Sequence, residues 1–273
     1  MSERLTFLAV HAHPDDEASS TGGTFPLLQS QGVRTVLVTC TNGEFGDAPG
    51  GIKPDETGHD PDEVAALRQV ELDTAASILR IDRVVRLGYR DSGMVGWPQN
   101  HHPSSFWATP LEDGAARLAE VLTEERPQVV MTYNDFGFYG HPDHIQAHRI
   151  TMAALDLIDY EPTVYFNAIP KSVFKGWRDR MRENDGISEH PEEEENDFGT
   201  ADDLIAAIID VRSTNEMKFD ALAAHASQIS EDSFWMKMGR EGFMATMVNE
   251  WFTRERNPRG LDGVVSDLFA GYR

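Results

Sequence analysis

The sequence predicts an α/β fold: a Rossmann-like parallel sheet flanked by helices, with a smaller C-terminal α+β lobe. Short apolar runs rich in β-branched residues alternate with helical patterns as far as about residue 170. Turn residues bound each run, as is typical of buried parallel strands. Beyond residue 170 the order of elements is less regular. We therefore expect a Rossmann-like domain over residues 1–170 and a smaller lobe over residues 171–273 that completes the cleft.

The first two strands are predicted at residues 5–10 and 33–39, with a short helix between them over 22–31 that ends at Gly32. A polar segment rich in Gly, Pro and Asp follows at residues 41–60. This segment is too long for an ordinary connection, so it is a candidate active-site loop.

Asp60 and Glu63 have the spacing of a capping box, and Pro61 occupies the first helical position, so a long helix is expected to begin here. The remaining predicted strands lie at residues 83–87, 128–133, 163–169 and near 204–211, and the remaining helices at 113–126, 144–158, after 170 and around 217–226. This alternation is typical of a doubly wound sheet.

The net charge of −22, from 24 Lys and Arg against 46 Asp and Glu, predicts a surface that repels nucleic acid and anionic membranes. Part of the excess is local, in the acidic run at 189–197, which we expect to be an exposed loop. No leader pattern is evident, and no apolar stretch approaches the ~20 residues of a spanning helix. The single cysteine, Cys40, favours a reducing, cytoplasmic setting. A homo-oligomer remains one alternative for the assembly.

Two clusters of titratable residues carry the chemistry. "HAHPDDE" at 11–17 follows the first predicted strand, and "YGHPDH" at 139–144 follows the fourth. Ligands of open parallel sheets bind beyond the carboxyl ends of the strands, so both clusters are expected in one cleft. A simple turn is the alternative for either cluster alone, because Pro and Asp are common in turns. Two clusters at matching positions favour a shared site.

His13, Asp16 and His144 are the expected ligands of a divalent metal such as zinc. Three protein ligands with an open fourth position are typical of a catalytic site. Adjacent carboxylates do not easily point the same way, so Asp15 is free to take a proton from the attacking water. His148 lies one helical turn after His144, but with the site already filled we expect it to pack nearby.

Six stretches resemble the PIG-L/LmbE family of metal-dependent de-N-acetylases, and within it most of all the mycothiol-pathway members. They are "VHAHPDDE" at 10–17, "VTCTNGE" at 38–44, "RDSGM" at 90–94, "TYNDFGFYGHPDH" at 132–144, "ALAAHASQI" at 221–229 and "DLFAG" at 267–271. The resemblance spans almost the whole chain. It implies a Rossmann-like sheet, removal of an N-acyl group from a glucosamine-type substrate, and Zn²⁺ as cofactor, with Fe²⁺ as an alternative.

The resemblance also implies roles for individual residues. His141 matches a residue that faces the carbonyl oxygen, and Asp143 one that orients His141 by hydrogen bonding. Tyr139 matches a mobile tyrosine that donates to the oxyanion. These residues, with Asp15 as general base, form the predicted catalytic set.

Arg68 and Asp91 match positions that hold the sugar substrate, and Asp47 matches an acidic sugar contact. The chain departs from the mycothiol relatives at Phe136 and Phe138, which flank Gly137 where glycines are usual. Those aromatic side chains re-line the expected substrate mouth, which places the exact substrate in question.

Three other functions compete with an amino-sugar deacetylase. A mycothiol-conjugate-type amidase of the same family would use the same chemistry on a larger substrate. A non-catalytic sugar- or nucleotide-binding module would need a phosphate-binding fingerprint, and no G-x-G-x-x-G follows Val10. A metal-dependent phosphoesterase would need more carboxylate ligands than the two clusters offer.

Overall fold

The computed structural model describes residues 4–185 and 198–273, so the predicted acidic loop at 189–197 lies outside the described residues. The strands are β1 Thr6–His11, β2 Arg34–Thr41, β3 Arg83–Tyr89, β4 Val129–Thr132, β5 Thr163–Ala168, β6 Ala207–Asp210 and β7 Asn249–Arg256. The α-helices are α1 Asp16–Thr21, α2 Thr24–Ser30, α3 Pro61–Ile78, α4 Leu111–Glu125, α5 Gly137–Gly140, α6 Pro142–Leu155, α7 Lys171–Asp185, α8 Asn215–Ala224, α9 Phe234–Lys237 and α10 Gly239–Thr246.

The seven strands form one sheet in the order β3-β2-β1-β4-β5-β7-β6. The pairs β1–β2, β2–β3, β1–β4 and β4–β5 are parallel, which confirms the predicted Rossmann-like sheet. From β1 the chain builds outward to β2 and β3, then returns to place β4 on the other side of β1. The direction of building therefore reverses between β1 and β4, and such a switch point opens a crevice for ligands at the carboxyl edge.

The sheet continues beyond residue 170 with two strands. β7 pairs antiparallel with both β5 and β6. The sequence analysis did not predict β7, because its polar residues interrupt the apolar run: only Glu250 and Phe252 of its eight residues are buried. The C-terminal residues thus extend the same sheet across the predicted boundary at residue 170, and the division into two domains stays a prediction.

Side chains of β1 alternate between two apolar cores, one on each face of the sheet. Phe7 and Ala9 belong to one core, and Leu8 and Val10 to the other. All six residues of β1 are buried, as expected for a central parallel strand covered on both faces. Among the helices within the described ranges, none has the length and apolarity to cross a bilayer.

Neighbouring residues determine where the helices that border the site begin. The Asp60 side chain accepts hydrogen bonds from the backbone N–H groups of Asp62 and Glu63, so the predicted start of α3 is confirmed. The helix predicted over 22–31 is present as α2, and a further short helix, α1, precedes it. The connection between α1 and α2 lies close to Val211, since a Cβ added to Gly23 would lie 2.5 Å from the Cβ of Val211.

Candidate metal centre and active site

A cavity of about 190 Å³ opens among the loops that follow the carboxyl ends of β1, β2, β3 and β4. It brings together the two His-Pro-Asp clusters, as their positions after β1 and β4 predict. Of the residues proposed from the sequence, seven line this cavity: His13, Asp15, Asp16, Arg68, Asp91, Tyr139 and His141. Asp143 and His144 lie buried directly behind it, in contact with His13.

Three side chains have the geometry of a ligand set. Asp16 Oδ2 lies 3.5 Å from His13 Nδ1 and 3.5 Å from His144 Nε2. In a tetrahedral site with bonds of about 2.1 Å, neighbouring ligand atoms are about 3.4 Å apart. His144 Nε2 is buried and makes no hydrogen bond to any described part of the chain. A divalent cation would satisfy this nitrogen, so His13, Asp16 and His144 fit the predicted group.

His141 also places a nitrogen within 4.8 Å of those of His13 and His144, and Asp91 and Asp143 form a further close group with His13 and His141. In these alternative groups two of the possible ligand atoms already accept backbone hydrogen bonds, and His141 keeps only Nε2 free. His141 Nδ1 accepts the backbone N–H of Asp143 at 3.1 Å. Asp91 Oδ1 accepts the N–H of Gly93 at 2.7 Å.

The Asp143 carboxylate supports a different histidine from the one implied by the family resemblance. Its Oδ2 lies 3.2 Å from His13 Nε2 and accepts the N–H of Ser92 at 2.9 Å. Among the described residues Asp143 makes no side-chain hydrogen bond to His141, which is the N-cap of α6 and accepts the backbone N–H of Asp143, so the orienting role of Asp143 toward His141 stays a prediction. A carboxylate on the outer nitrogen of a ligating histidine fixes its tautomer and orientation.

The protonation states follow from burial and neighbours. Burial raises the pKa of Asp16, but His144 and His13 beside it outweigh that cost and hold the pKa well below its usual value. Burial lowers the pKa of His144 to about 4, so this ring is neutral at pH 7 and able to ligate. For His13, burial is opposed by Asp91 and Asp143, which together raise the pKa well above 6.5.

His141 is a neutral hydrogen-bond donor. Burial, with His13 and His144 nearby, lowers its pKa to about 2. Because Nδ1 accepts the backbone N–H of Asp143, the proton of the neutral ring resides on Nε2. Burial also raises the pKa of Tyr139 well above 10, so its hydroxyl stays protonated. Tyr139 is 45% exposed, at the mouth of the cavity.

Asp15 stands apart from the ligand set. Its Oδ2 lies 3.0 Å from Arg68 Nη2, and its side chain is 23% exposed. Burial raises the pKa of this carboxyl to about 6, against the opposing effect of Arg68. The two neighbouring acids in "HPDDE" therefore differ, with Asp16 a firmly ionised ligand and Asp15 a carboxyl that can take up and return a proton near neutral pH.

The three predicted substrate contacts have different surroundings. Arg68 is only 3% exposed, and its guanidinium donates to Gly43 O at 2.7 Å and Pro14 O at 2.5 Å as well as to Asp15. Asp91 lines the cavity. Asp47 does not line it, because its carboxylate pairs with Lys53 Nζ at 2.6 Å.

Sequence reasoning missed three residues around the cavity. Glu17 is buried and contacts the backbone of Asp15, His225 is buried against Glu17, and Gln228 lines the cavity. The signal lay in the quoted motifs, since Glu17 ends "HPDDE" and the other two belong to "ALAAHASQI". His148 belongs to none of the close groups of possible ligands among the described residues, and its Nδ1 lies 2.9 Å from Tyr133 O.

Fold and site together define a protein with a Rossmann-like sheet and, at the carboxyl edge, side chains that can hold a divalent cation. The chain belongs to the PIG-L family, described as GlcNAc-PI de-N-acetylase, whose sequence profile matches residues 8–155. It is accordingly a hydrolytic deacetylase.

The relatives that match nearly the full chain include two that are named 1D-myo-inositol 2-acetamido-2-deoxy-alpha-D-glucopyranoside deacetylase. The protein from Acidothermus cellulolyticus is 39% identical over 97% of this chain and 94% of its own. The protein from Salinispora arenicola is 40% identical over 97% of this chain and 90% of its own.

Among solved structures, N,N'-diacetylchitobiose deacetylase from Pyrococcus horikoshii superposes with a TM-score of 0.62 at 18% identity, covering 92% of this chain and 83% of that one. The 4-carboxy-2-hydroxymuconate hydratase of Pseudomonas putida gives a TM-score of 0.61 at 19% identity, covering 94% and 100%. These likenesses establish the fold alone. A deacetylase and a hydratase share it, so the reaction is argued from site residues.

Proposed function

We propose that this protein is a zinc-dependent deacetylase that removes the acetyl group from an N-acetylglucosaminyl-inositol substrate. The observation that carries the proposal is the division inside "HPDDE". Asp16 faces His13 and His144 at 3.5 Å each, while Asp15 lines the same cavity with its carboxylate paired to Arg68. The names of the near-full-length relatives supply the substrate class.

His13, Asp16 and His144 would hold the cation. When bound, Zn²⁺ supplies Lewis acidity toward the amide carbonyl and makes a coordinated water more acidic. The donor set of two imidazoles and one carboxylate suits zinc, and Fe²⁺ remains the alternative, since imidazole ligands serve both metals. Asp143 holds the His13 ring from behind at 3.2 Å.

Asp15 serves as the general base. A carboxyl with a pKa of about 6 is ionised at pH 7 and accepts a proton from the attacking water more readily than an ordinary carboxylate. Arg68 keeps this carboxylate oriented through the 3.0 Å contact. After attack, the same group can return the proton to the leaving amine of the sugar.

His141 and Tyr139 stabilise the developing oxyanion. His141 presents an Nε2–H in its neutral tautomer, and Tyr139 keeps its phenolic proton, so both are donors. Their rings approach with centroids 6.0 Å apart, on the same wall of the cavity. Donors aimed at the oxygen where charge develops give differential stabilisation of the transition state.

The rest of the cavity offers groups suited to a sugar. Asp91 and Gln228 provide hydrogen-bonding atoms, and Phe45 and Trp97 provide flat apolar surface. Phe136 is 62% exposed, and its ring lies against Gly140, between the cavity-lining Tyr139 and His141. This exposed ring favours a mycothiol-conjugate-type amidase as the second candidate, because a bulkier acyl group could pack on it. We further propose a small-molecule substrate as the partner and a cytoplasmic location, with which the buried free thiol of Cys40 is compatible.

The test is amine release from a panel by the zinc-loaded protein, with metal content measured in parallel. The panel contains N-acetylglucosamine, N-acetylglucosaminyl-inositol, diacetylchitobiose and a mycothiol conjugate. The proposal expects the highest kcat/KM with N-acetylglucosaminyl-inositol. A preference for the conjugate would support the second candidate, and no release from any of them would overturn both.

A further inference from the structure

Two buried side chains that the proposed reaction does not use form an ion pair directly behind Asp15. Glu17 Oε1 lies 2.6 Å from His225 Nε2, and both residues are 0% exposed. The other oxygen of Glu17, Oε2, accepts the backbone N–H of Asp15 at 3.0 Å. Burying ionisable groups costs free energy even when they are paired, so we expect this buried ion pair to have a role in the structure of the site.

The role concerns the backbone conformation of Asp15, to which Glu17 is hydrogen-bonded. The φ of 121° at Asp15 lies in a region that favours glycine, so a residue with a side chain is strained there unless its surroundings hold it. The carbonyl of Asp15 accepts the N–H groups of Ala18 and Ser19, which starts α1. The contact from Glu17 fixes the other side of the same residue, so it stabilises the conformation that separates the side chains of Asp15 and Asp16.

His225 is itself anchored at the end of α8 by a segment that reaches two other walls of the cavity. Ser227 donates through its N–H and hydroxyl to Glu71 of α3, at 2.8 and 2.6 Å. Gln228 exchanges hydrogen bonds with the backbone of Asp47, at 2.9 and 3.2 Å. The histidine behind Glu17 is therefore held by the same segment that ties α3 and the 41–60 loop together.

We propose that Glu17 and His225 are positioning residues, which hold the Asp15 backbone in its strained conformation and so aim the general base at the attacking water. The inference rests on the proposed function, since it assigns Asp15 the role of base. Neither residue is among those that line the cavity. Their effect is on the geometry of Asp15. The next residue, the proposed ligand Asp16, keeps its orientation through its own contacts with two histidines.

Matched variants separate hydrogen bonding from packing. Glu17→Met keeps the volume and removes the acceptor, and we expect kcat to fall about 10–100-fold, as for other residues that orient a reacting group, with KM and zinc content unchanged. Glu17→Gln keeps an acceptor for the Asp15 N–H, so kcat should recover to within a few-fold of wild type. If Glu17→Met does not fold, the pair is tested from the His225 side. His225→Leu removes the hydrogen bond to Glu17, and His225→Gln keeps a donor for it.

Lys218→Met is the control for loss of a buried ion pair. Lys218 Nζ lies 2.6 Å from Glu250, both residues are at most 5% exposed, and neither contacts Asp15. This variant should lower Tm while kcat stays within about twofold of wild type. Equal losses of kcat in Glu17→Met and Glu17→Gln, or a comparable loss in Lys218→Met, would overturn the positioning role.

A crystallographic comparison keeps this inference separate from the proposed function. If the wild-type protein released no amine from the substrate panel, the proposed function would fail. The positioning role would then be judged from the backbone of Asp15 in Glu17→Met, where we expect φ to leave the positive region. An unchanged φ near 121° would count against it whatever the substrate is.

Discussion

Replacing Asp15 by Asn removes the proton acceptor while leaving its surroundings almost intact. The Asn oxygen can still accept from Arg68 Nη2, which lies 3.0 Å from Asp15 Oδ2, and Arg68 keeps its bonds to Gly43 and Pro14. The ligand oxygen belongs to Asp16. We therefore expect a folded, zinc-loaded protein that lacks the base.

The size of the loss follows from the role. General-base assistance is typically worth ~10²–10⁴-fold in rate. At about 1.4 kcal/mol for each factor of ten, Asp15→Asn should raise the barrier by about 3–5 kcal/mol. KM should change little, because the carboxylate acts on the water.

The assay is kcat for amine release together with zinc per chain, measured for Asp15→Asn and for the matched neighbour Asp16→Asn. The second variant should lose zinc and activity together, since its oxygen faces both His13 and His144. A metal-free Asp15→Asn protein, or one that is zinc-loaded and nearly fully active, would refute the division of roles between the two acids.

Three further expectations concern the ligands and the pH dependence. His144→Ala should lose zinc and activity, whereas His148→Ala should retain zinc, because His148 belongs to none of the close groups of possible ligands among the described residues. Retention of zinc by His144→Ala would contradict the ligand set. Asp15 must be ionised to act, and Arg68 lowers its pKa, so Arg68→Met should move the acidic limb of the kcat/KM profile to higher pH. An unmoved limb would argue against an effect of Arg68 on the pKa of the base. His13 must lose a proton to ligate and its pKa is raised, so zinc affinity measured by chelator competition should fall as pH falls; a pH-independent affinity would exclude this linkage.

Much of the site could be predicted from the sequence because its parts are local to strand ends. Apolar runs identified β1 and β4; His13 and Asp16 follow the end of β1 within five residues, and His144 follows the end of β4 by twelve. Parallel strands align their carboxyl ends at one edge, so the two clusters had to converge. The start of α3 at Asp60 was equally readable, since capping depends on neighbouring residues only.

The tertiary structure decides which distant residues pair, because each of these polar residues has several chemically acceptable partners. Asp143 is bound to His13, 130 residues away, although His141 is its neighbour in sequence. Arg68, predicted to contact the sugar, lines the cavity, and packing of α3 also places it against Asp15. The antiparallel β7 and the Glu17–His225 pair, 208 residues apart, likewise depend on packing across the sheet. Sequence patterns report local periodicity and turn chemistry, whereas the partner of a buried polar group is fixed only when the elements pack.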